Sequence, residues 1–377
     1  MQWETHAQRL ADAVTRPESD WYEPLATTPR HVLVPRWWEG TGSGWRVRDG
    51  ASDRAEWMRS AYADRTLVTR VGPAHADQTM PGAVVTEGLP TSSSTLPGLV
   101  VAMYRHAMVS PESRVLVTTG SGYGTALMCR RLGTEQLVTS VDIDPYLVEA
   151  ATYRLDSIGL RPRIVVCDIT GSLPGQYDRI VSTVSVRPVP SSWLASLRPG
   201  GRFVTTIADT GLILTADRLE DGGAVGRVEP DPAGFMRTRH GADYDYPTDG
   251  VREKALDQEG DEVGVCRYPL LYPPDSWAVM SMLGLAVPGI RYRQSSEGGI
   301  RTVWLLHPDG SWARATATEH LASPTVHQGG PRRLWRELQR VRNRLNREGE
   351  LPVYGARVTI TPDGETTLSR GGWSVTL

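Results

Sequence analysis

Two carboxylates and a glycine turn stand where a nucleoside can be held. The turn is Gly120-Ser121-Gly122-Tyr123-Gly124. Glycine belongs where a backbone turns sharply and approaches a ligand, because a Cβ would collide with it. Amide groups at the start of a following helix donate to an anionic or carbonyl oxygen. Asp142 lies about twenty residues further on, where α/β nucleotide folds place the acid that binds a ribose diol. Asp168 ends the next apolar run and can accept from an adenine amino group. A third feature is dense in hydroxyls: Ser92, Ser93, Ser94 and Thr95, just ahead of Pro97. By itself such a run reads as a helix-capping linker.

The elements that must position these groups alternate. Val115-Leu116-Val117-Thr118 reads as a short buried strand, and a helix begins at Thr125. Leu137–Val141 is a second strand ending at Asp142; Asp144 and Pro145 open another helix, since Asp caps well and Pro suits the first turn. Ile164–Cys167 is a third strand, Tyr177–Thr183 a fourth, and Arg202-Phe203-Val204 a fifth after the turn at Pro199-Gly200-Gly201. Candidate ligand residues at successive strand ends predict a doubly wound parallel sheet with a nucleoside across its carboxyl edge.

The remaining chain frames this unit. With 377 residues, two domains are expected. The net charge of −2 excludes a bulk electrostatic attraction to nucleic acid. Lys254 is the one lysine, and three scattered cysteines suit neither a disulfide framework nor zinc. No secretion leader is evident and no apolar run approaches a membrane span, so a cytoplasmic location is expected. Residues 1–60 read as a helical and loop segment packed on the core: a helix over Glu4–Val14, an extended Pro29–Pro35, Trp37-Trp38, and a loop from Gly40 to Asp53. Thr66–Val71 reads as a strand. Gly226–Glu229 and Gly234–Arg237 look like the last strands of a domain spanning 61–240, with a polar linker over His240–Gly250. Residues 251–377 read as a separate α+β domain. Its hairpins turn at Pro308-Asp309-Gly310 and Pro362-Asp363-Gly364. Between them, Leu334, Leu338, Val341 and Leu345 form one helical stripe, with seven arginines from Arg332 to Arg347 on a solvated basic face.

Several stretches, in this order, make the chain resemble the protein-L-isoaspartate O-methyltransferases over roughly residues 25–240. They are Pro29-Arg30-His31-Val32-Leu33-Val34-Pro35, Ala61-Tyr62-Ala63-Asp64, the hydroxyl run into Pro97, Gly120-Ser121-Gly122-Tyr123, Tyr177-Asp178-Arg179-Ile180, and Leu197 to Val204. The resemblance implies a class I, Rossmann-like methyltransferase sheet with S-adenosyl-L-methionine as cofactor, to which the residues after 250 add a C-terminal α+β domain. It implies cofactor contacts from Thr119, Gly120, Ser121, Gly122, Tyr123, Asp142, Ile143, Asp168, Ile169 and Thr183. It places Thr95, with Ser93 and Ser94, at the substrate carboxylate. Two motifs depart from the family: Val117-Thr118-Thr119 replaces an acid and a glycine, and Ser93-Ser94-Thr95-Leu96-Pro97 replaces Thr-x-Ser-Gln-Pro. The extra length implies the extended relatives that tailor ribosomally made peptides, methylating an aspartate that proceeds to aspartimide or isoaspartate.

The chemistry asked of such a site is modest. A carboxylate is ionised at pH 7, so no general base is needed; the protein must align and desolvate it. A hydroxyl donates to it without quenching its charge. The expected partner is therefore a peptide, with repair of isoaspartyl proteins and small-molecule methylation as the competing readings. No metal, nucleic acid or membrane enters the expectation.

Overall fold

The computed structural model describes residues 3–42, 44–240, 244, 249–271, 276–318 and 322–377. Most of the expected linker over His240–Gly250 lies outside the described residues.

A ten-stranded sheet forms the centre of the molecule. Val115–Thr118 lies between Val138–Asp142, which continues to Arg163–Val166, and Tyr177–Val186, which continues to Leu197–Ile207. These five strands are parallel. The order reverses between Val115–Thr118 and Tyr177–Val186, and a ligand crevice opens outside the carboxyl ends at such a switch. The β-branched and aliphatic runs suit strands buried on both faces. Leu116, Ile180, Phe203 and Leu214 on one side, and Val115, Leu127, Val181 and Val204 on the other, are fully buried in two separate cores.

The second crossover helix starts where Asp144-Pro145 placed it, and the first starts at Tyr123, two residues ahead of the expected Thr125. Gly122 adopts φ +86° and leads into Tyr123–Leu132. A Cβ there would meet Ala151 and Leu155 of the next helix, so this glycine permits helix packing. Asp144 caps Pro145–Ser157, accepting from the Tyr146 amide at 3.0 Å.

Four segments differ from expectation; one is Gly234–Arg237, which is no strand and makes a single bridge, Arg237 to Ser185. Gly40–Asp53 is largely a β-hairpin, Arg36–Thr41 pairing with Gly44–Asp49, and Trp38 also pairs with Val68. Hence the first sixty residues build a six-stranded sheet jointly with residues beyond them. Arg30–Leu33 between the two prolines is a helical turn closed by the Val34 amide, which donates to Arg30 O at 3.1 Å, and its Arg30 side chain is buried on the carbonyls of Ala61 and Ser94. The hydroxyl run is the strand Pro90–Ser94, paired antiparallel with Leu67–Val71 and followed by the helix Pro97–His106.

The C-terminal part is not a free-standing unit. Arg357–Ile360 pairs with Ala224–Pro232, so Arg357–Thr376 extends the central sheet by three strands. A separate five-stranded sheet runs from Glu262–Val265 to Arg291–Glu297. The helix Trp277–Ala286 joins the two bodies: Gly284 lies so close to Asp209 that a Cβ would sit 2.2 Å from its carbonyl oxygen, and Ser281 Oγ accepts from the Gly211 amide at 3.0 Å. The helix Leu334–Glu348 buries Leu334, Trp335, Leu338 and Val341. Its arginine face is solvated, as expected, with Arg336, Arg340 and Arg347 largely exposed, and it is also paired within the chain: Arg333 and Arg336 pair with Glu262, Arg344 and Arg347 with Glu348, Arg340 with Glu337, and Arg332 with Asp309, while Arg342 covers Tyr268.

Candidate functional site

Beyond the carboxyl ends of the parallel strands lies a pocket of about 980 Å³, counting its open mouth. Its walls bring together Ser93, Thr95, Gly120, Asp142, Ile143, Asp168, Ile169 and Thr183 from distant parts of the sequence. Thr118 closes the switch point, its hydroxyl 2.6 Å from that of Thr183.

The two carboxylates are differently set. Asp142 accepts from the Gly120 amide at 3.0 Å and from the Asp144 amide at 3.1 Å. Burial pushes its carboxyl above the usual range. Asp168 accepts from the Thr170 amide at 2.8 Å and hydroxyl at 2.7 Å, and its other oxygen meets His240 Nδ1 at 3.0 Å. Burial pushes this carboxyl up as well, but the bonds from Thr170 and His240 outweigh it and leave it low.

Four of the expected cofactor residues, and one expected at the substrate carboxylate, turn elsewhere. Thr119 donates or accepts with Ser140 Oγ at 2.6 Å beneath the turn, and Ser121 Oγ accepts from the Tyr123 amide. Gly122 faces the neighbouring helix. The Tyr123 ring lies under the Arg30 guanidinium at 5.1 Å with its phenol buried, and burial raises that phenol. Ser94 is buried against Arg30, whose Nε donates to its hydroxyl at 3.3 Å. Ser93 and Thr95 on either side of Ser94 line the pocket, while the Ser94 hydroxyl is taken up by Arg30 behind the strand.

Arg30 organises the hydroxyl strand from behind. Fully buried, it donates to the carbonyls of Ala61, Ala63, Arg65, Ser94 and Thr95 at 2.9–3.2 Å. Burial lowers its guanidinium to about 10. Asp64 completes the frame by accepting from the Gly98 amide at 2.7 Å, the first turn of the helix that follows Thr95. The resemblance motifs Pro29–Pro35 and Ala61–Asp64 thus hold one strand in place.

The sequence reading did not include the segment Gly234–Arg239 among the site residues. It crosses the carboxyl edge and lines the pocket with Arg237, Thr238 and Arg239. The Ser185 amide donates to Met236 O at 2.8 Å, and the Thr238 amide donates to Ser185 O at 3.0 Å. Arg239 reaches Asp144 at 3.4 Å, which also faces Arg70 at 3.4 Å and His75 at 3.2 Å. Burial opposes ionisation of Asp144, yet His75, Arg70 and the Tyr146 amide hold its carboxyl at about 2. The basic run Arg237-Thr238-Arg239-His240 was its sequence signal.

The pocket suits S-adenosylmethionine on its own features. Gly120, at φ +49°, leaves only 3.1 Å between a Cβ and the Ser93 carbonyl; Asp142 offers an acceptor to a diol; Val141, Ile143, Leu147 and Ile169 supply an apolar wall for a base. Among the described residues no group of three or more metal-ligating side chains converges, and no helix is long and apolar enough to cross a membrane.

A family model for protein-L-isoaspartate(D-aspartate) O-methyltransferase matches residues 57–229. The protein-L-isoaspartate O-methyltransferase of Paracoccus denitrificans is 31% identical over 178 residues, covering 45% of this chain and 73% of that protein. Protein-L-isoaspartate O-methyltransferase 1 of Archaeoglobus fulgidus is 27% identical over 221 residues, covering 57% and 84%. The Thermotoga maritima relative of the same description is 33% identical over 125 residues, and the chain spans only 39% of its length. A solved structure described as a protein-L-isoaspartate O-methyltransferase superposes with a TM-score of 0.51 at 17% identity, over 100% of this chain and 99% of that one. The fold likeness therefore runs through the C-terminal part too, and chain length does not set this protein apart as the sequence reading expected.

Proposed function

The chain belongs to the protein-L-isoaspartate O-methyltransferase family, and we propose that it esterifies an aspartyl or isoaspartyl carboxylate of a peptide or protein. The observation that carries this reading is the convergence of Ser93 and Thr95 with Gly120, Asp142 and Asp168 on one pocket. When bound, S-adenosylmethionine supplies a methyl group already activated on sulfur. Asp142 receives the ribose hydroxyls, Asp168 exchanges His240 for the adenine amino group, and Gly120 and Thr183 border the methionine end. Ser93 and Thr95 donate to the substrate carboxylate and orient it in line. The hydroxyl strand and the Gly234–Arg239 segment exclude water on either side.

No base is required, since the nucleophile is ionised at neutral pH. The missing acid at Val117-Thr118-Thr119 leaves the Thr118 hydroxyl rather than a carboxylate at the ammonium group, which predicts weaker cofactor binding than an acid would give.

The isoaspartyl substrate is the reading favoured by the family. The second reading, tailoring of a ribosomally made peptide at an aspartate that proceeds through the methyl ester to aspartimide or isoaspartate, is favoured by one feature: the C-terminal sheet reaches the pocket wall through Arg291, Asp209 and Arg237. Mass spectrometry of an isoaspartyl peptide and of a constrained aspartyl peptide encoded beside this gene, each incubated with S-adenosylmethionine, separates them. A methylene gained on the first alone supports repair. A methylene, or net loss of water after methanol leaves, on the second alone supports tailoring. Modification of neither sinks the proposal.

A further inference from the structure

Next to Arg237 of the pocket wall, one carboxylate pairs with two guanidinium groups, and two more stand close by. Asp209, at the turn after Leu197–Ile207, binds Arg291 Nη1 at 2.6 Å and also Arg237. Arg187, whose guanidinium donates to Gly284 O at 3.0 Å, feels the fields of both Asp209 and Arg237. Arg293 follows Arg291 by two residues on the same strand and acts on it electrostatically. The charged groups acting on Arg291 are Asp209, Arg237 and Arg293, so cations outnumber the acid. Asp209 itself holds φ +66°, a left-handed conformation that a non-glycine residue adopts only under constraint. It is nearly buried at 9% side-chain exposure, while Arg237 and Arg291 keep 33% and 37% of theirs.

Position gives this surplus a meaning. Arg237 lines the pocket beside Ser185, near the carboxyl end of Tyr177–Val186, whereas Asp142 and Asp168 stand at the ends of other strands. From Arg291 the strand Arg291–Glu297 runs outward, hydrogen-bonded on one side to Ile300–Leu306, and it forms the edge of its sheet among the described residues. Such an edge accepts an extended peptide through its backbone, and Tyr292 beside it is half exposed. A bare cationic surplus beside a site that binds one carboxylate without a cation calls for a second anion.

We propose that Arg237, Arg291 and Arg293 form an anion subsite for an acidic side chain flanking the methylated residue of the peptide. This rests on the pocket being a peptide carboxyl methyltransferase site, and it adds a preference: extended acidic peptides bind along Arg291–Glu297 with their reacting residue at Ser93 and Thr95. Partly solvated charge pairs of this kind act over about a Debye length and weaken with salt.

The test uses two fluorescent isoaspartyl peptides, identical except for glutamate or glutamine flanking the reactive residue. Their binding to the full-length protein saturated with S-adenosylhomocysteine is read by anisotropy, at low and high salt. The glutamate peptide should bind about tenfold tighter at low salt, and the ratio should fall toward one with added salt. Arg293→Gln, an exposed change that leaves Asp209 paired, should lower the ratio, and Arg291→Gln should lower it further, with the S-adenosylhomocysteine affinity unchanged by calorimetry. Equal binding of both wild-type peptides, or a ratio that survives both substitutions, overturns the subsite. A matching loss of S-adenosylhomocysteine affinity overturns it too, by assigning the arginines to the cofactor. Methyl transfer to the glutamine peptide at undiminished efficiency removes the subsite and leaves the transferase reading standing. Acid-dependent binding with no methyl transfer keeps the subsite and removes that reading.

Discussion

Asp144→Asn isolates the charge on which the pocket wall is hung. Asparagine is as good a helix cap as aspartate, so the bond from the Tyr146 amide survives. What disappears is the negative charge facing Arg70, His75 and Arg239 at 3.2–3.4 Å, all of them buried. The depression of the Asp144 carboxyl from 3.8 to about 2 corresponds to about 2–3 kcal/mol, and removing one member of a buried ionic cluster costs about 3–5 kcal/mol. We take about 3 kcal/mol. With an unfolding entropy of about 2 cal mol⁻¹ K⁻¹ per residue, a chain of 377 residues moves its thermal midpoint by about 4 °C. The sign with pH follows from the direction of the shift. The folded carboxyl titrates below the unfolded one, so its contribution is complete above pH 3.8 and is lost as pH falls toward about 2. Calorimetric midpoints of wild type and Asp144→Asn should differ by about 4 °C at pH 7, hold that gap at pH 5, and converge below pH 3.8. A gap under about 1 °C at pH 7, or one that widens on acidification, refutes the account.

Two further predictions concern the hydroxyl strand. Ser93→Ala and Thr95→Val should each lower kcat about tenfold or more with little change in thermal midpoint, whereas Ser94→Ala should cost about 1 kcal/mol of stability and leave kcat within about twofold. Initial rates and midpoints of the three variants check this, and a kcat loss largest for Ser94→Ala would reverse the strand's facing. Arg30→Lys should destabilise by about 3 kcal/mol or more, because an ammonium cannot span five carbonyls held by a planar fork; a midpoint within about 1 °C of wild type would show that the carbonyls find other donors.

Much of the scaffold was legible because it is local. Short β-branched strands, a glycine turn, the Asp144-Pro145 helix start and the two Pro-Asp-Gly hairpins each declare themselves within a few residues. The positions of Asp142 and Asp168 at strand ends follow from the same punctuation, since a doubly wound sheet brings all its carboxyl ends to one edge. What the tertiary structure decided is which way side chains point and what returns from afar. Ser94 and Ser93 are indistinguishable by composition, and only pairing with Leu67–Val71 turns one to Arg30 and the other to the pocket. Tyr123 and Ser121 sit within a nucleotide-binding motif yet face the packing side of the turn, because Arg30 covers that face. The Gly40–Asp53 hairpin was hidden by glycines and charges, whose strand preference is weak until a partner strand supplies hydrogen bonds. Arg237 and Arg239 carried only a short basic run, which does not by itself say where in the fold it lies. They join the site because antiparallel strands after Leu197–Ile207 bring the chain back across the carboxyl edge, a return governed by long-range pairing that no local run of residues encodes.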